Sequence, residues 1–155
     1  GSVIPFWISE AKKGNELKLT DSGMNRLMFS KKECAETIQM AISSSTTIKC
    51  PFILCKQMKS VNLLELSNLI SGKGVEIIGK RPGEKLNETL ISEKELPYTS
   101  KDIPHITSAN YLSNERSGYV IISPNKQKNN LTKEYSSSNA ARMTKQEMEE
   151  LIALS

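Results

Sequence analysis

Two short segments carry residue types whose spacing could do chemistry. In Gly79-Lys80-Arg81-Pro82-Gly83-Glu84-Lys85-Leu86 an apolar run, Val75 to Ile78, leads into a Pro-Gly turn flanked by bases and an acid. An arginine held at a strand end with its fork exposed suits two oxygens of a diphosphate, because the planar guanidinium donates parallel N–H bonds. Glu84, three residues on, could accept hydrogen bonds from a vicinal diol such as a ribose. The same residues also read as an Arg–Glu pair decorating a turn, and spacing alone favours that plainer reading. The second segment, Gly23-Met24-Asn25-Arg26-Leu27-Met28-Phe29, places an arginine after a turn and before an apolar strand-like run. Arg26 and Arg81, on separate loops, could converge on one pyrophosphate; each taken alone is better read as a surface arginine.

Other catalytic signatures are missing from the sequence. No G-x-G-x-x-G follows a strand, so no dinucleotide cradle is expected. Tyr98 and Lys101 are one residue too close for a Tyr-x-x-x-Lys pair, and neither a G-x-S-x-G elbow nor a P-loop occurs. The lone His105 has no evident acid or nucleophile partner and reads as a loop histidine. Cys50 and Cys55 do not have zinc-knuckle spacing, so Cys34, Cys50 and Cys55 are expected to be small buried hydrophobes in a reducing compartment. No metal site is expected. Asn87-Glu88-Thr89 and Asn130-Leu131-Thr132 match the glycosylation sequon but, without a secretory signal, carry little weight.

Local pattern indicates the elements that position these residues. Ile4, Phe6, Trp7, Ile8 and Ala11 predict a helix over 4–13 with Pro5 in its first turn. Leu17-Lys18-Leu19-Thr20 alternates as a short strand, and Asp21-Ser22-Gly23 is a turn. Ser30-Lys31-Lys32-Glu33 is a capping box opening a helix to about Ile42, with Cys34, Ala35, Ile38, Ala41 and Ile42 on its apolar face and Ser43 to Ser45 ending it. Residues 47–55 read as one or two β segments interrupted at Pro51. A helix over 61–71 should be closed by Gly72-Lys73-Gly74 at a left-handed cap, and Val75 to Ile78 should be a buried strand. Ser92 to Glu95 is a second capping box, its helix cut short by Pro97. Residues 98–118 read as irregular, Tyr119 to Ile122 as the last clear strand, and 124–140 as a flexible surface loop. Thr144-Lys145-Gln146-Glu147 opens a C-terminal helix with Met148, Leu151, Ile152 and Leu154 on its apolar side.

Composition narrows the function classes. The 155 residues are 37% hydrophobic and 25% charged, with 21 bases against 17 acids. The excess lies in the first 60 residues, where nine bases meet five acids; Lys12, Lys13, Lys31, Lys32, Lys56 and Lys59 are spread among those acids rather than clustered. With so few aromatics and no basic stripe, a nucleic-acid binder is not expected. No apolar run approaches the roughly 20 residues of a membrane span, no secretory signal opens the chain, and the expected location is cytoplasmic. The reading is one α/β (mixed α+β) region, 1–155, of short strands and about four helices.

Taken in order, these residues resemble a known family. Ser2-Val3-Ile4-Pro5-Phe6-Trp7, Leu19-Thr20-Asp21 with Met24-Asn25-Arg26, the run Arg81 to Leu90, Tyr135 to Asn139 and Glu147 to Leu151 together resemble the C-terminal part of the UDP-N-acetylglucosamine 4,6-dehydratases. These are extended short-chain dehydrogenase/reductase enzymes of polysaccharide biosynthesis, including a 4,6-dehydratase/5-epimerase branch. The likeness spans nearly the whole chain and is weakest at 97–130.

The resemblance implies that a UDP-sugar lies between a Rossmann domain and a smaller C-terminal region. NAD(P) takes a hydride from C4, water leaves across C5 and C6, and the hydride returns at C6. It implies diphosphate and ribose contacts for Arg81 and Glu84, a second diphosphate contact for Arg26, a substrate-side role for Val3, Ile4 and Pro5, and uracil contacts, through the backbone, for Lys18, Leu19 and Thr20. The glycine-rich loop and Tyr-x-x-x-Lys pair of that family have no counterpart in this sequence. The expectation is therefore a substrate-binding portion that binds no cofactor itself and needs a Rossmann partner in cis or trans, with a homo-oligomeric complete enzyme. The alternative is a non-catalytic relic or interaction module without nucleotide-sugar binding. The helix carrying Phe6, Trp7 and Ile8 is the expected sticky face toward such a partner.

Overall fold

A computed structural model describes residues 3–101, 118–127 and 130–155. The chain divides into two compact units, one within Gly1–Ser30, Lys59–Glu88 and Ser137–Ser155, the other within Lys31–Met58 and Thr89–Ser136. Helices and short strands alternate in both, the mixed α/β class expected from the sequence; the described residues contain four α-helices and one 3-10 helix.

In the first unit, α1 (Val3–Lys12) buries Ile4 and Trp7, three residues apart and so on one helical face. Gly14, at φ 75°, turns the chain out of the helix. Strand β1 (Leu17–Leu19) buries both leucines and exposes Lys18. It runs parallel to β5 (Val75–Ile77), with Leu17 opposite Val75 and Leu19 opposite Ile77. Strand β2 (Asn25–Met28) pairs antiparallel with β4 (Lys59–Asn62), Arg26 lying opposite Val61.

Helix α3 (Leu63–Ile70) follows β4 with no intervening loop. Asn62 makes this junction work: its side-chain oxygen accepts from the Leu64 and Glu65 amides, satisfying two orphan donors. Leu66 is fully buried on α3, in a core shared with Ile4, Trp7, Leu17, Met148 and Leu151. Burying such a leucine contributes about 2–3 kcal/mol. Helix α4 (Lys145–Ala153) opens with the expected capping box, Thr144 and Glu147 serving each other's backbone.

The second unit holds α2 (Lys31–Thr47) and a three-stranded antiparallel sheet in the order β3 (Ile53–Lys56), β8 (Tyr119–Ile122), β7 (Thr99–Ser100). A further pair joins β6 (Thr89–Ile91) to β9 (Tyr135–Ser136), with a register shift between Thr89 and Ile91. The Ser92–Glu95 capping box forms and opens a 3-10 helix, Glu93–Tyr98, that contains Pro97. A small core joins Cys55, Ile91, Val120 and Leu131.

Several expectations are corrected. Helix α2 runs five residues past Ile42, through the three serines, and its packed face is not the apolar one. Met40 and Ser44 are buried, while Ile38 and Ile42 are 57% and 64% exposed. Polar anchors decide the roll of the helix: Glu33 pairs with Lys56 at 3.3 Å, and the Thr37 and Tyr119 hydroxyls lie 3.3 Å apart. Strand β5 is not buried, since Ile77 is half exposed. The end of α3 is an extended Ser71, and the left-handed residue falls at Gly74 instead.

Trp7 belongs to the core, so of the proposed sticky face only Phe6 remains well exposed. Leu154, placed on the apolar side of α4, is exposed. Cys34 is exposed and Cys50 half-buried; Cys55 alone is a buried cysteine. Strands β4, β6, β7 and β9 lie outside the expected elements, β7 within the stretch 98–118 read as irregular, and of residues 47–55 only 53–55 fall within a strand. Within 124–140, Leu131, Ser136, Ser137 and Ala140 are buried. His105 lies outside the described residues.

Candidate active site

All nine residues singled out from the sequence, Val3, Ile4, Pro5, Lys18, Leu19, Thr20, Arg26, Arg81 and Glu84, belong to the first unit. The Arg81 segment is built from the turn upward. The Glu84 amide donates to the Arg81 carbonyl at 3.1 Å, closing a four-residue turn around Pro82 and Gly83. Gly83 has φ 81°. Proline at the second position and a positive-φ glycine at the third make this a type II turn. The Glu84 carboxylate accepts from the Arg81 amide at 3.1 Å. Both peptide groups of Arg81 are thus tied within the turn, while its residue is exposed. Among the described residues its guanidinium meets no carboxylate or other acceptor. Arg81 sits four residues beyond the end of β5, not at the strand end, and Glu84 serves the backbone rather than pairing with the guanidinium.

Arg26 stands on β2 rather than on a loop, and its fork is already engaged. Its Nη1 donates to the Asn25 carbonyl at 2.9 Å and the Leu86 carbonyl at 3.1 Å, and Nη2 donates to the Lys85 carbonyl at 3.0 Å. The Glu88 carboxylate lies 3.9 Å from Nη2. Arg26 therefore meets the segment carrying Arg81, through that segment's C-terminal limb. Its N-terminal limb is held by Lys80, whose ammonium lies 3.7 Å from the Asp21 carboxylate.

A polar network that the sequence reading missed locks the same region. Asn25 donates its side-chain amide to the Gly23 carbonyl at 3.0 Å and to Asn87 at 3.1 Å. Its own amide donates to the Leu86 carbonyl at 2.8 Å. The Ser137 hydroxyl donates to the Asn25 carbonyl at 3.0 Å and accepts from the Glu88 amide at 2.9 Å. Arg142 reaches Asn25 at 3.3 Å and Glu65 at 3.8 Å. The one sequence hint was the polar pair flanking the two segments, Asn25 beside Arg26 and Asn87 beyond Leu86; Ser137 and Arg142 are far along the chain and gave no such hint.

The remaining candidates divide by burial. Ile4 and Leu19 are buried in the core, and the Leu19 carbonyl accepts from the Ile78 amide at 2.8 Å. Pro5 is exposed and Val3 half-buried. Lys18 projects from β1 opposite Glu76, 3.5 Å away. The Thr20 hydroxyl points at the Met24 sulfur at 3.4 Å. Phe6, Glu10, Glu16 and Lys18 line part of a cavity of about 350 Å³. Three carboxylates there, Glu10, Glu16 and Glu76, make it unsuited to a phosphate. Hydrogen bonds from Lys13 and Asn15 hold Glu10 below the usual carboxylate range.

A dinucleotide cofactor does not fit the described residues. Such a group needs a glycine-rich strand-to-helix turn whose bare amides meet the pyrophosphate. Here β4 passes into α3 at Asn62 and β2 into α2 through Phe29 and Ser30, with no glycine at either junction. No group of three or more His, Cys, Asp or Glu among the described residues could hold a metal ion, and no described helix is long and apolar enough to cross a membrane.

Comparison with known proteins adds four findings. A family profile described as polysaccharide biosynthesis protein matches residues 1–110. The UDP-glucose 4-epimerase of Rickettsia rickettsii is 27% identical over 157 aligned residues, covering 98% of this chain and 45% of the relative. An uncharacterized membrane protein of Methanocaldococcus jannaschii is 33% identical over 105 residues, covering 62% of this chain and 32% of the relative. The X-ray structure of Pen from Bacillus thuringiensis matches with a TM-score of 0.75 at 25% identity, covering 99% of this chain and 45% of that one. The chain thus spans less than half the length of these relatives.

Proposed function

The chain belongs to the polysaccharide biosynthesis protein family, with an extended short-chain dehydrogenase/reductase-like fold, and from that premise we propose that it is the UDP-sugar-binding portion of a nucleotide-sugar-modifying enzyme. The observation that carries the reading is the Arg81 turn: an arginine whose backbone is fixed at both peptide groups and whose guanidinium has no partner among the described residues. A diphosphate oxygen pair satisfies such a group with two parallel charge-assisted bonds. The substrate class is a UDP-hexose altered at C4. That is common to the 4-epimerase named among the relatives and to the 4,6-dehydratases the sequence resembles. Within that class, UDP-N-acetylglucosamine 4,6-dehydration, with or without C5 inversion, is the finer reading.

In this mechanism the chain's own residues bind and orient. Arg81 takes the diphosphate, and the segment Lys18 to Thr20 lies on the uracil side. Hydride transfer belongs to NAD(P) held by a Rossmann partner in cis or trans, because the residues described here offer no cradle for it. Alone, the chain turns over no substrate.

Isothermal titration with UDP, UDP-glucose and UDP-N-acetylglucosamine tests this, on the chain alone and after mixing with a glycine-rich Rossmann half. Arg81→Ala removes a charge-assisted contact worth about 1.5–3 kcal/mol, so UDP affinity should fall by about 10- to 150-fold. A folded chain that binds no UDP in either form would make it a relic or interaction module instead.

A further inference from the structure

We propose that the outward apolar stripe of α2 and the open edge of β3 form one docking surface, and that its occupant is the Rossmann partner. The inference rests on the proposed function for that partner's existence, and both features lie within the second unit. Helix α2 is anchored through Glu33 and Thr37, with Met40 and Ser44 buried along the same side. Its apolar side chains point elsewhere. At about 100° per residue, Cys34, Ala35, Ile38, Ala41 and Ile42 share about a third of the helix circumference. The one charged residue on that arc is Lys31, in the first turn. An amphipathic helix whose apolar stripe faces outward presents a surface for a partner.

Helix α2 packs against β3, the outer strand of the order β3, β8, β7. The Gln57 amide donates to the Gly118 carbonyl. By the antiparallel alternation, residues 53 and 55 then turn their peptide groups toward β8, and Leu54 and Lys56 turn their amides outward. Among the described residues no strand pairs on that outer side. Neither proline nor bulge blunts the strand, and its one charge, Lys56, is held by Glu33. Such an edge is a template for another strand. Side chains of an added strand alternate between two faces. One is the α2 side, where Lys56 lies. On the other, Ile53 lines an apolar hollow of about 500 Å³ with Phe52, Tyr98 and Ile122. The length of the relatives selects the occupant. Pen matches 99% of this chain at a TM-score of 0.75, and the match fills only 45% of Pen, as it does of the epimerase. More than half of each relative lies outside that span. A helix laid over a sheet with one edge open is continued by an α/β piece that brings a strand and a helix together.

The test compares the full chain alone with the same chain fused to the part of Pen outside the matched span, as the Rossmann half. Amide hydrogen exchange reads the edge, and iodoacetamide labelling of Cys34 reads the stripe. In the fusion, the Leu54 and Lys56 amides should gain about tenfold protection or more, and Cys34 should label about tenfold more slowly. Ile38→Lys with Ile42→Lys, at positions exposed in the chain alone, should remove both gains and leave its Tm unchanged. Ile38→Gln with Ile42→Gln repeats the test without added charge. A fusion in which both amides and Cys34 stay as reactive as in the chain alone overturns the proposal. So does a concentration-dependent dimer of the chain alone, seen by sedimentation, in which the same groups are protected, since the occupant is then a second copy. UDP titration of the fusion is read separately: absent UDP binding with protection gained strikes the nucleotide reading and leaves the docking surface standing.

Discussion

Replacing Gly83 by alanine should expose how the turn serves binding. Gly83 sits at φ 81°, and a Cβ added there meets no atom within 4 Å. Sterics with neighbours are therefore absent, and the penalty is that of holding an L-residue in the left-handed region, about 1 kcal/mol. That energy can surface in two places. If the turn keeps its type II form, Gly83→Ala lowers folding stability by about 1 kcal/mol. For 155 residues this is a fall of about 3 °C in Tm. If the free chain relaxes to a type I turn, the Glu84 carboxylate leaves the Arg81 amide, stability is nearly unchanged, and the penalty reappears on binding as a roughly fivefold loss of UDP affinity. The two losses should together come to about 1 kcal/mol. Gly83→Asn should show a smaller sum, because asparagine tolerates the left-handed region better. Thermal unfolding and calorimetry on the same samples measure both terms. Unchanged Tm and unchanged affinity in Gly83→Ala would refute a positive-φ turn coupled to binding; a far larger loss would mean that the Cβ is not in open space.

Three further outcomes are expected. Leu66→Ala, at a fully buried core position, should destabilise by about 3 kcal/mol, read by urea unfolding followed through Trp7, the chain's one tryptophan, which sits in the same core. Glu147 is held below the usual carboxylate range by its bond from Lys59 and then by the Thr144 amide. Its contribution should therefore be complete above the unfolded value of about 4.3 and be lost as pH falls through the lower folded value. The stability gap between wild type and Glu147→Gln, followed by acid titration, should close at that lower pH; a gap independent of pH counts against the assignment. Toward a thiol reagent, exposed Cys34 should react first and Cys55 last, since burial, followed by the nearby Glu95 charge, pushes the Cys55 thiol up; single-cysteine chains would show the order directly.

What the sequence could state was whatever closes within a few residues. The capping boxes at Ser92 and Thr144 formed because their hydroxyl and carboxylate serve amides three positions away. The Pro82-Gly83 turn formed for a similarly local reason, as did the alternation of Leu17, Lys18 and Leu19. Arg81, standing on such a turn, is a diphosphate candidate on local grounds of the same kind. Periodicity failed where partners decided the outcome. The apolar stripe of α2 predicted one packed face, but Glu33 and Thr37 found Lys56 and Tyr119 and rolled the helix another way. Strand β9 escaped notice because its two residues gain order only by pairing with Thr89 and Ile91, more than 40 positions earlier.

Arg26 shows the same division within the site. Its residue type announced an anion contact, and only the fold shows that the carbonyls of Lys85 and Leu86, about 60 residues away along the chain, also meet its fork. A side chain's chemistry is written in the sequence, whereas which of its donors remain free is set by the backbone that tertiary folding brings against it.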